Sequence, residues 1–216
     1  MKRMDGAVGV MGGTFDPIHF GHLVAAEAVR AKLGLSRVVF VPAGRPPHKR
    51  DRLVTEGRHR YLMTVMATVT NPSFDVSRIE VDRPGPSYTV DTVRSFREAF
   101  GPQVDLWFIT GLDAVREILT WREPEAFVRL CRIAAVSRPG YRVEEIEAVR
   151  RQVLALAGGY EGHFEVLEVP ALAISSSDIR RRVHAGEPIK YLVPESVETY
   201  ISKIGLYTPS GGPEEL

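Results

Sequence analysis

The segment Gly12-Gly13-Thr14-Phe15-Asp16-Pro17-Ile18-His19-Phe20-Gly21-His22 follows an apolar run, Ala7-Val8-Gly9-Val10-Met11. It leads into Leu23-Val24-Ala25-Ala26-Glu27-Ala28-Val29-Arg30-Ala31, which reads as helix. A buried strand that hands over to a helix through a glycine-rich turn is the opening of a β–α unit, and such units build parallel sheets. The junction offers free backbone N–H groups and the positive end of a helix dipole, which together make an anion site. His19 and His22 are three residues apart, so on a first helical turn they share a face. Gly21 between them leaves room for a ligand to approach the backbone. The arrangement suits a polyphosphate. It is not a Walker A loop, because no Gly-Lys-Ser/Thr follows, and it fails the GxGxxG dinucleotide pattern. Asp16-Pro17 reads as shaping the turn, with Pro fixing φ where no donor is needed.

Short apolar runs alternate with helical patterns along the rest of the chain. Strands are expected at Ala7–Met11, Val38–Val41, Phe74–Val76 with an extension to Val81, Leu106–Thr110, Ile133–Val136 and Phe164–Val169. Helices are expected at Gly21–Leu33, Arg58–Val69, Val90–Phe100, Asp113–Leu119, Glu123–Leu130, Glu144–Ala157, Ser176–Ala185 and Glu195–Ile204. The strands are apolar without strict alternation, as in a parallel sheet covered on both faces. The fold class is therefore α/β: a doubly wound, Rossmann-like parallel sheet of about five to six strands with helices on both faces and a small C-terminal helical part. No linker interrupts residues 1–208, which read as a single domain, and residues 209–216 read as a disordered tail. In such sheets ligands bind at the carboxyl ends of the strands.

Composition narrows the classes of function. The net charge of +1 over 216 residues gives no support for non-specific nucleic-acid or membrane binding, so a phosphate ligand must be held by a local cluster. The single cysteine, Cys131, excludes an internal disulfide and reads as core. No apolar run approaches the roughly 18 residues of a membrane span, and no signal-peptide core is present, so the expected location is cytoplasmic. The sequence leaves the oligomeric state open.

Further motifs fall after strands or at helix starts. In Pro46-Pro47-His48-Lys49 a stiff loop could carry His48 and Lys49 to a phosphate. In Ser87-Tyr88-Thr89, Ser87 and Thr89 are both N-cap types, and free N–H groups at this helix start could bind a carboxylate. Gly111 in Thr110-Gly111-Leu112-Asp113-Ala114 permits close approach, and Asp113 either orients a ligand or caps the next helix. Trp121 reads as core or as a stacking surface for a flat ring. Ile174-Ser175-Ser176-Ser177-Asp178-Ile179-Arg180 reads as a serine-capped helix, and Arg180 near its N-terminus opposes the dipole, which a bound anion would explain.

The opening motif, of the form GGTFDPxHxGH, resembles the HxGH signature of the nucleotidylyltransferase superfamily and, in its fuller form, that of the bacterial nicotinate-nucleotide adenylyltransferases. The likeness extends over PPHK, SYTxDT, GxDA, Trp121 and ISSSxIR, from about Ala7 to Tyr207. It implies adenylyl transfer from ATP to nicotinate mononucleotide, with Mg²⁺ carried on ATP. It implies an ATP site of Gly12, Gly13, Thr14, Phe15, His19, His22, Gly111, Asp113, Ser176, Ser177 and Arg180, with His19, His22 and Arg180 catalytic. It implies a mononucleotide site of His48, Lys49, Ser87, Tyr88, Thr89, Trp121 and Arg138. Some relatives carry a tyrosine where this chain has Arg122, which leaves that position's role open. The histidine pair alone also permits an adenylyltransferase for nicotinamide mononucleotide or phosphopantetheine. A non-catalytic nucleotide-binding regulator is the reading from another class. A class I aminoacyl-tRNA synthetase fits poorly, since the chain is short and carries no KMSKS-like lysine at Ser175–Ser177.

Overall fold

A computed structural model describes residues 6–46, 54–137, 143–159, 163–170 and 172–209. His48, Lys49, Arg138 and the tail from 210 onward lie outside the described residues. The strands are β1 (Ala7–Gly13), β2 (Arg37–Pro42), β3 (Phe74–Val76), β4 (Asp105–Gly111), β5 (Arg132–Ser137) and β6 (Phe164–Glu168). The helices are α1 (Phe20–Leu33), α2 (Gly57–Thr68), α3 (Thr89–Phe100), α4 (Leu112–Arg116), α5 (Pro124–Leu130), α6 (Val143–Leu156), α7 (Ser176–His184) and α8 (Glu195–Ile204).

The six strands form one sheet in the order β3-β2-β1-β4-β5-β6, every pairing parallel. The order reverses between β1 and β4, where Met11 is level with Ile109. A crevice opens there because the connections from the two strands leave toward opposite helix layers. The strands alternate faces, so the sheet carries two cores. Val8, Val10, Phe108 and Ile133 pack toward α3, α4, α5 and α6 through Val93, Val115, Phe127 and Val149. Met11, Phe40, Ile109 and Ala134 pack toward α1, α2, α7 and α8 through Ala26, Met63, Ile179 and Ile201. Cys131 is buried in the first core, where burial pushes its thiol pKa up and removes any thiolate character.

Two expectations are corrected. The third strand does not extend to Val81. Its pairing to β2 ends with Ser77 N–H donating to Phe40, and the chain then turns, Asp82 N–H bonding Arg78. The turn drives the Glu80 backbone against the loop after β2, where a Cβ on Gly44 would stand 2.0 Å from the Glu80 carbonyl oxygen. The helix expected over Asp113–Leu119 is broken into α4 and a 3₁₀ turn, Ile118–Thr120. Bonds from Glu117 to Ala114, Thr120 to Glu117 and Trp121 to Ile118 tighten the chain to three residues per turn. That winding buries Val115 and Ile118 on one side and delivers Trp121 to the crevice.

Candidate functional site

Two cavities meet at the β1/β4 crossing, sharing Gly12 and Thr110. The first, of about 400 Å³, is bounded by the start of α1 and the start of α7. His19, Gly21, His22, Gly111 and Ser176 line it, with an apolar wall that includes Ala25, Ile109 and Val136. The second, of about 380 Å³, lies on the α3 side. Gly13, Thr14, Ser87, Tyr88, Thr89 and Trp121 line it, together with Phe108, Glu80 and Arg122. His19, His22, Gly111 and Ser176, assigned to ATP, fall in the first compartment, and Ser87, Tyr88, Thr89 and Trp121, assigned to the mononucleotide, in the second. Gly13 and Thr14, expected in the ATP site, instead line the second, because the end of β1 turns toward the α3 side past the shared Gly12.

The histidine pair opens α1, with His19 as its N-cap. Their rings stack at 3.8 Å between centroids. Gly21 serves this packing: a Cβ there would lie 3.0 Å from His19 Nδ1, so the freed space is taken by the imidazole itself. The His19 backbone N–H donates to His22 Nδ1 at 3.2 Å. An imidazole that accepts at Nδ1 carries its proton on Nε2, so His22 is a neutral Nε2–H donor. Burial, and secondarily the His19 charge, hold its pKa well below the ordinary 6.5, which keeps it neutral. Phe15 sets its ring edge-on to His22 at 5.1 Å, is 2% exposed, and lines neither cavity, so its side chain props the imidazole from beneath.

The start of α7 is docked onto the β1–α1 loop. Ser176 Oγ donates to the Pro17 carbonyl at 2.9 Å, and Arg180 Nη1 donates to the Asp16 carbonyl at 2.7 Å. The Asp16 side chain is buried, with Oδ2 3.9 Å from Arg180 Nη1. Oδ1 accepts from the Tyr207 hydroxyl at 2.8 Å. Ser175, absent from the expected site, lines the first cavity and caps α7, its Oγ accepting from Asp178 N–H at 3.2 Å. Ser177 is exposed, 3.2 Å from Ser175 Oγ. None of Ser177, Arg180 and Asp113 lines either of these two cavities. Asp113 sits exposed in the first turn of α4, whose N-cap is Gly111.

On the α3 side, the Ser87 hydroxyl is committed to protein. It accepts N–H bonds from Gly44 at 3.0 Å and Arg45 at 3.2 Å, and it hydrogen-bonds the Glu80 carboxyl. A hydroxyl has one donor and two acceptor positions, so Ser87 ties the β2 loop and has nothing left for a ligand. Nor does a serine or threonine cap α3: the N-cap is Tyr88, and no side chain bonds the helix start. Trp121 packs one side on Phe108 and Phe127, at 6.2 and 5.2 Å between ring centres, while still lining the cavity.

Sequence reasoning missed two buried charges. Glu80, 7% exposed, accepts from Thr92 Oγ1 at 2.6 Å, and burial raises its pKa. Arg60 on α2, 1% exposed, donates to three loop carbonyls: Thr55 at 2.6 Å, Thr14 at 2.8 Å and Gly44 at 3.0 Å. It thereby joins the loops that follow β1 and β2. In Gly57-Arg58-His59-Arg60 nothing distinguishes this arginine from its exposed neighbour Arg58.

Comparison with known proteins fits this geometry. Residues 10–182 match the Cytidylyltransferase-like family. A probable nicotinate-nucleotide adenylyltransferase of Moorella thermoacetica is 56% identical over 204 residues, covering 94% of this chain and 93% of that protein. One from Streptomyces coelicolor is 53% identical over 197 residues, covering 91% of this chain and 98% of that protein. In structure, the Plasmodium falciparum nicotinic acid mononucleotide adenylyltransferase complexed with NaAD superposes with a TM-score of 0.73 at 20% identity, covering 94% of this chain and 97% of that one.

Proposed function

From the premise that the chain belongs to the Cytidylyltransferase-like family and, within it, to the nicotinate-nucleotide adenylyltransferases, we propose that the first cavity takes ATP and the second nicotinate mononucleotide, with their phosphates meeting at Gly12 and Thr110. The enzyme transfers the adenylyl group of ATP to nicotinate mononucleotide, giving nicotinate adenine dinucleotide and pyrophosphate in NAD biosynthesis. One observation carries the assignment of compartments. The histidine pair and the apolar wall belong to one cavity; the aromatic floor and the uncapped α3 start belong to the other.

The substrate phosphate is the nucleophile. Its second pKa is about 6, so it is ionised at neutral pH without a general base. Its oxygen forms the new bond to the α-phosphorus as the bond to the β-phosphate oxygen breaks and the electron pair leaves with pyrophosphate. Catalysis is then positioning plus stabilisation of charge. His22 donates Nε2–H to phosphate oxygen, with His19 beside it. Arg180 uses one donor on the Asp16 carbonyl, which anchors it beside the β1–α1 loop, and in this reading its remaining guanidinium N–H groups reach from there to the leaving pyrophosphate. Gly12, Gly13 and Thr14 bring backbone to the reacting phosphates. His48, Lys49 and Arg138 hold the attacking phosphate. Trp121 stacks on the pyridine ring, and the α3 start receives its carboxylate. We read Mg²⁺ as arriving on ATP; among the described residues no cluster of three or more His, Cys, Asp or Glu side chains could hold a metal. No described helix is long and apolar enough to cross a membrane, and a cytoplasmic location fits a reaction that consumes ATP.

The test is pyrophosphate release from Mg-ATP with nicotinate mononucleotide, nicotinamide mononucleotide or phosphopantetheine. Release with the nicotinate substrate is expected. Release with another substrate alone would discard the assignment of the α3-side cavity, and none with any would leave a nucleotide-binding regulator.

A further inference from the structure

Three charged side chains line the α3-side cavity among the described residues: Glu80, Glu117 and Arg122. Glu80 is already engaged by Thr92, Ser87 and the Gly44 N–H. Arg122 makes no short ion pair among the described residues. Its ion pairs to Asp91 and Glu123 are long, at 3.9 and 3.6 Å, because Arg94 approaches the same two carboxylates at 3.4 and 2.5 Å. Its guanidinium carbon instead lies 4.5 Å from the centre of the Tyr88 ring, and its side chain is 51% exposed at the cavity mouth. Two guanidiniums thus share two carboxylates, and the one facing the cavity has its face on an aromatic ring and its N–H edge still available.

We propose that Arg122 is a specificity-determining residue, which pairs with the carboxylate of the pyridine ring and so favours nicotinate mononucleotide over its amide. The proposal rests on the reading that this cavity takes the mononucleotide. The need for such a group follows from the rest of the lining. Phe108, Tyr88 and Trp121 hold a flat ring by area and dispersion, and an acid and its amide are nearly the same shape. Discrimination therefore requires a group that responds to one negative charge. The uncapped N-terminus of α3 supplies partial positive charge, and Arg122 supplies the whole charge beside it. The aromatic seat limits the rotamers of Arg122, so little freedom is lost when a carboxylate docks.

The experiment compares the wild-type enzyme with Arg122→Met, which removes the charge but keeps an apolar stem on Tyr88, and with Arg122→Lys. kcat and KM are measured for nicotinate and nicotinamide mononucleotides at saturating Mg-ATP. In Arg122→Met the acid-to-amide ratio of kcat/KM falls about tenfold, the charge-assisted bond being discounted for exposure. The fall resides in KM for the acid, and Arg122→Lys restores most of it. An unchanged ratio in folded Arg122→Met overturns the proposal. So does an equal rise in KM for both substrates, which would make Arg122 a packing residue on Tyr88. Wild-type enzyme that does not turn over nicotinate mononucleotide defeats the reading of the site itself, before any variant is made.

Discussion

The Tyr207 hydroxyl donates to Oδ1 of Asp16 at 2.8 Å across 191 residues of chain. The contact ties the residues after α8 to the loop that presents the histidine pair, and Asp16 in turn receives Arg180 through its carbonyl. Asp16 is 4% exposed, so its carboxylate oxygens rely on protein donors, Tyr207 on Oδ1 and the Thr55 N–H at 3.4 Å from Oδ2.

Tyr207→Phe should therefore act on both stability and rate. Loss of the hydroxyl leaves a buried carboxylate oxygen short of a donor, which costs about 1–2 kcal/mol. It also loosens the seat of Arg180, so kcat should fall several-fold while KM for either substrate stays within twofold. Urea denaturation and steady-state kinetics check the two arms. An unchanged kcat would mean that Arg180 is positioned by the Asp16 carbonyl alone.

His22→Ala should lower kcat on the order of 100-fold or more, the loss expected when one preorganised donor to developing charge is removed. Near-normal turnover in folded protein would remove His22 from the mechanism. Trp121→Ala should raise KM for nicotinate mononucleotide more than KM for ATP. Equal effects would assign Trp121 to the core with Phe108 and Phe127.

Acid should destabilise the fold partly through His22. Its folded pKa lies well below the unfolded 6.5, because burial, and then the His19 charge, disfavour the imidazolium. Between those two values the unfolded chain binds a proton that the folded chain does not. Stability is thus complete above about pH 6.5 and declines as pH falls toward the folded value. His59, lowered by burial and by Arg58, contributes with the same sign. The decline in urea midpoint on acidification should be shallower in His22→Gln than in wild type. Parallel declines would show that the buried imidazole is not a source of the pH dependence.

The sheet and one half of the site were legible for a common reason. Buried parallel strands demand apolar runs, and a phosphate-binding turn demands glycine and donors at fixed spacing, so Ala7–Met11 and His19–His22 declare themselves. What was not legible depends on tertiary partners. Ser87 has the residue type of a cap or a ligand contact, but its hydroxyl is consumed by Gly44, Arg45 and Glu80. Phe15 sits inside the motif, yet its ring supports His22 from the core side. Glu80 lies inside the strand extension expected to Val81, and becomes a buried carboxylate because the chain turns after Val76. The apolar wall at Ala25, Ile109 and Val136 comes from three elements that no local pattern joins.

Arg60 is the sharpest case, and it yields the last prediction. Its charge is buried with carbonyls of Thr14, Gly44 and Thr55 as the hydrogen-bond partners, while desolvation lowers its pKa against the pull of Asp16, Tyr207 and Glu80. Arg60→Met would fill similar volume but strand three carbonyl oxygens, a loss of about 3 kcal/mol or more. Lysine cannot substitute, because a single ammonium does not span three acceptors arranged for a planar fork. Both variants should lower the urea midpoint, Arg60→Lys almost as much as Arg60→Met. Because the stranded oxygens belong to the loops after β1 and β2, KM for the mononucleotide should rise in whatever fraction remains folded. A lysine variant as stable as wild type would show that charge, and not the forked geometry, is what those loops require.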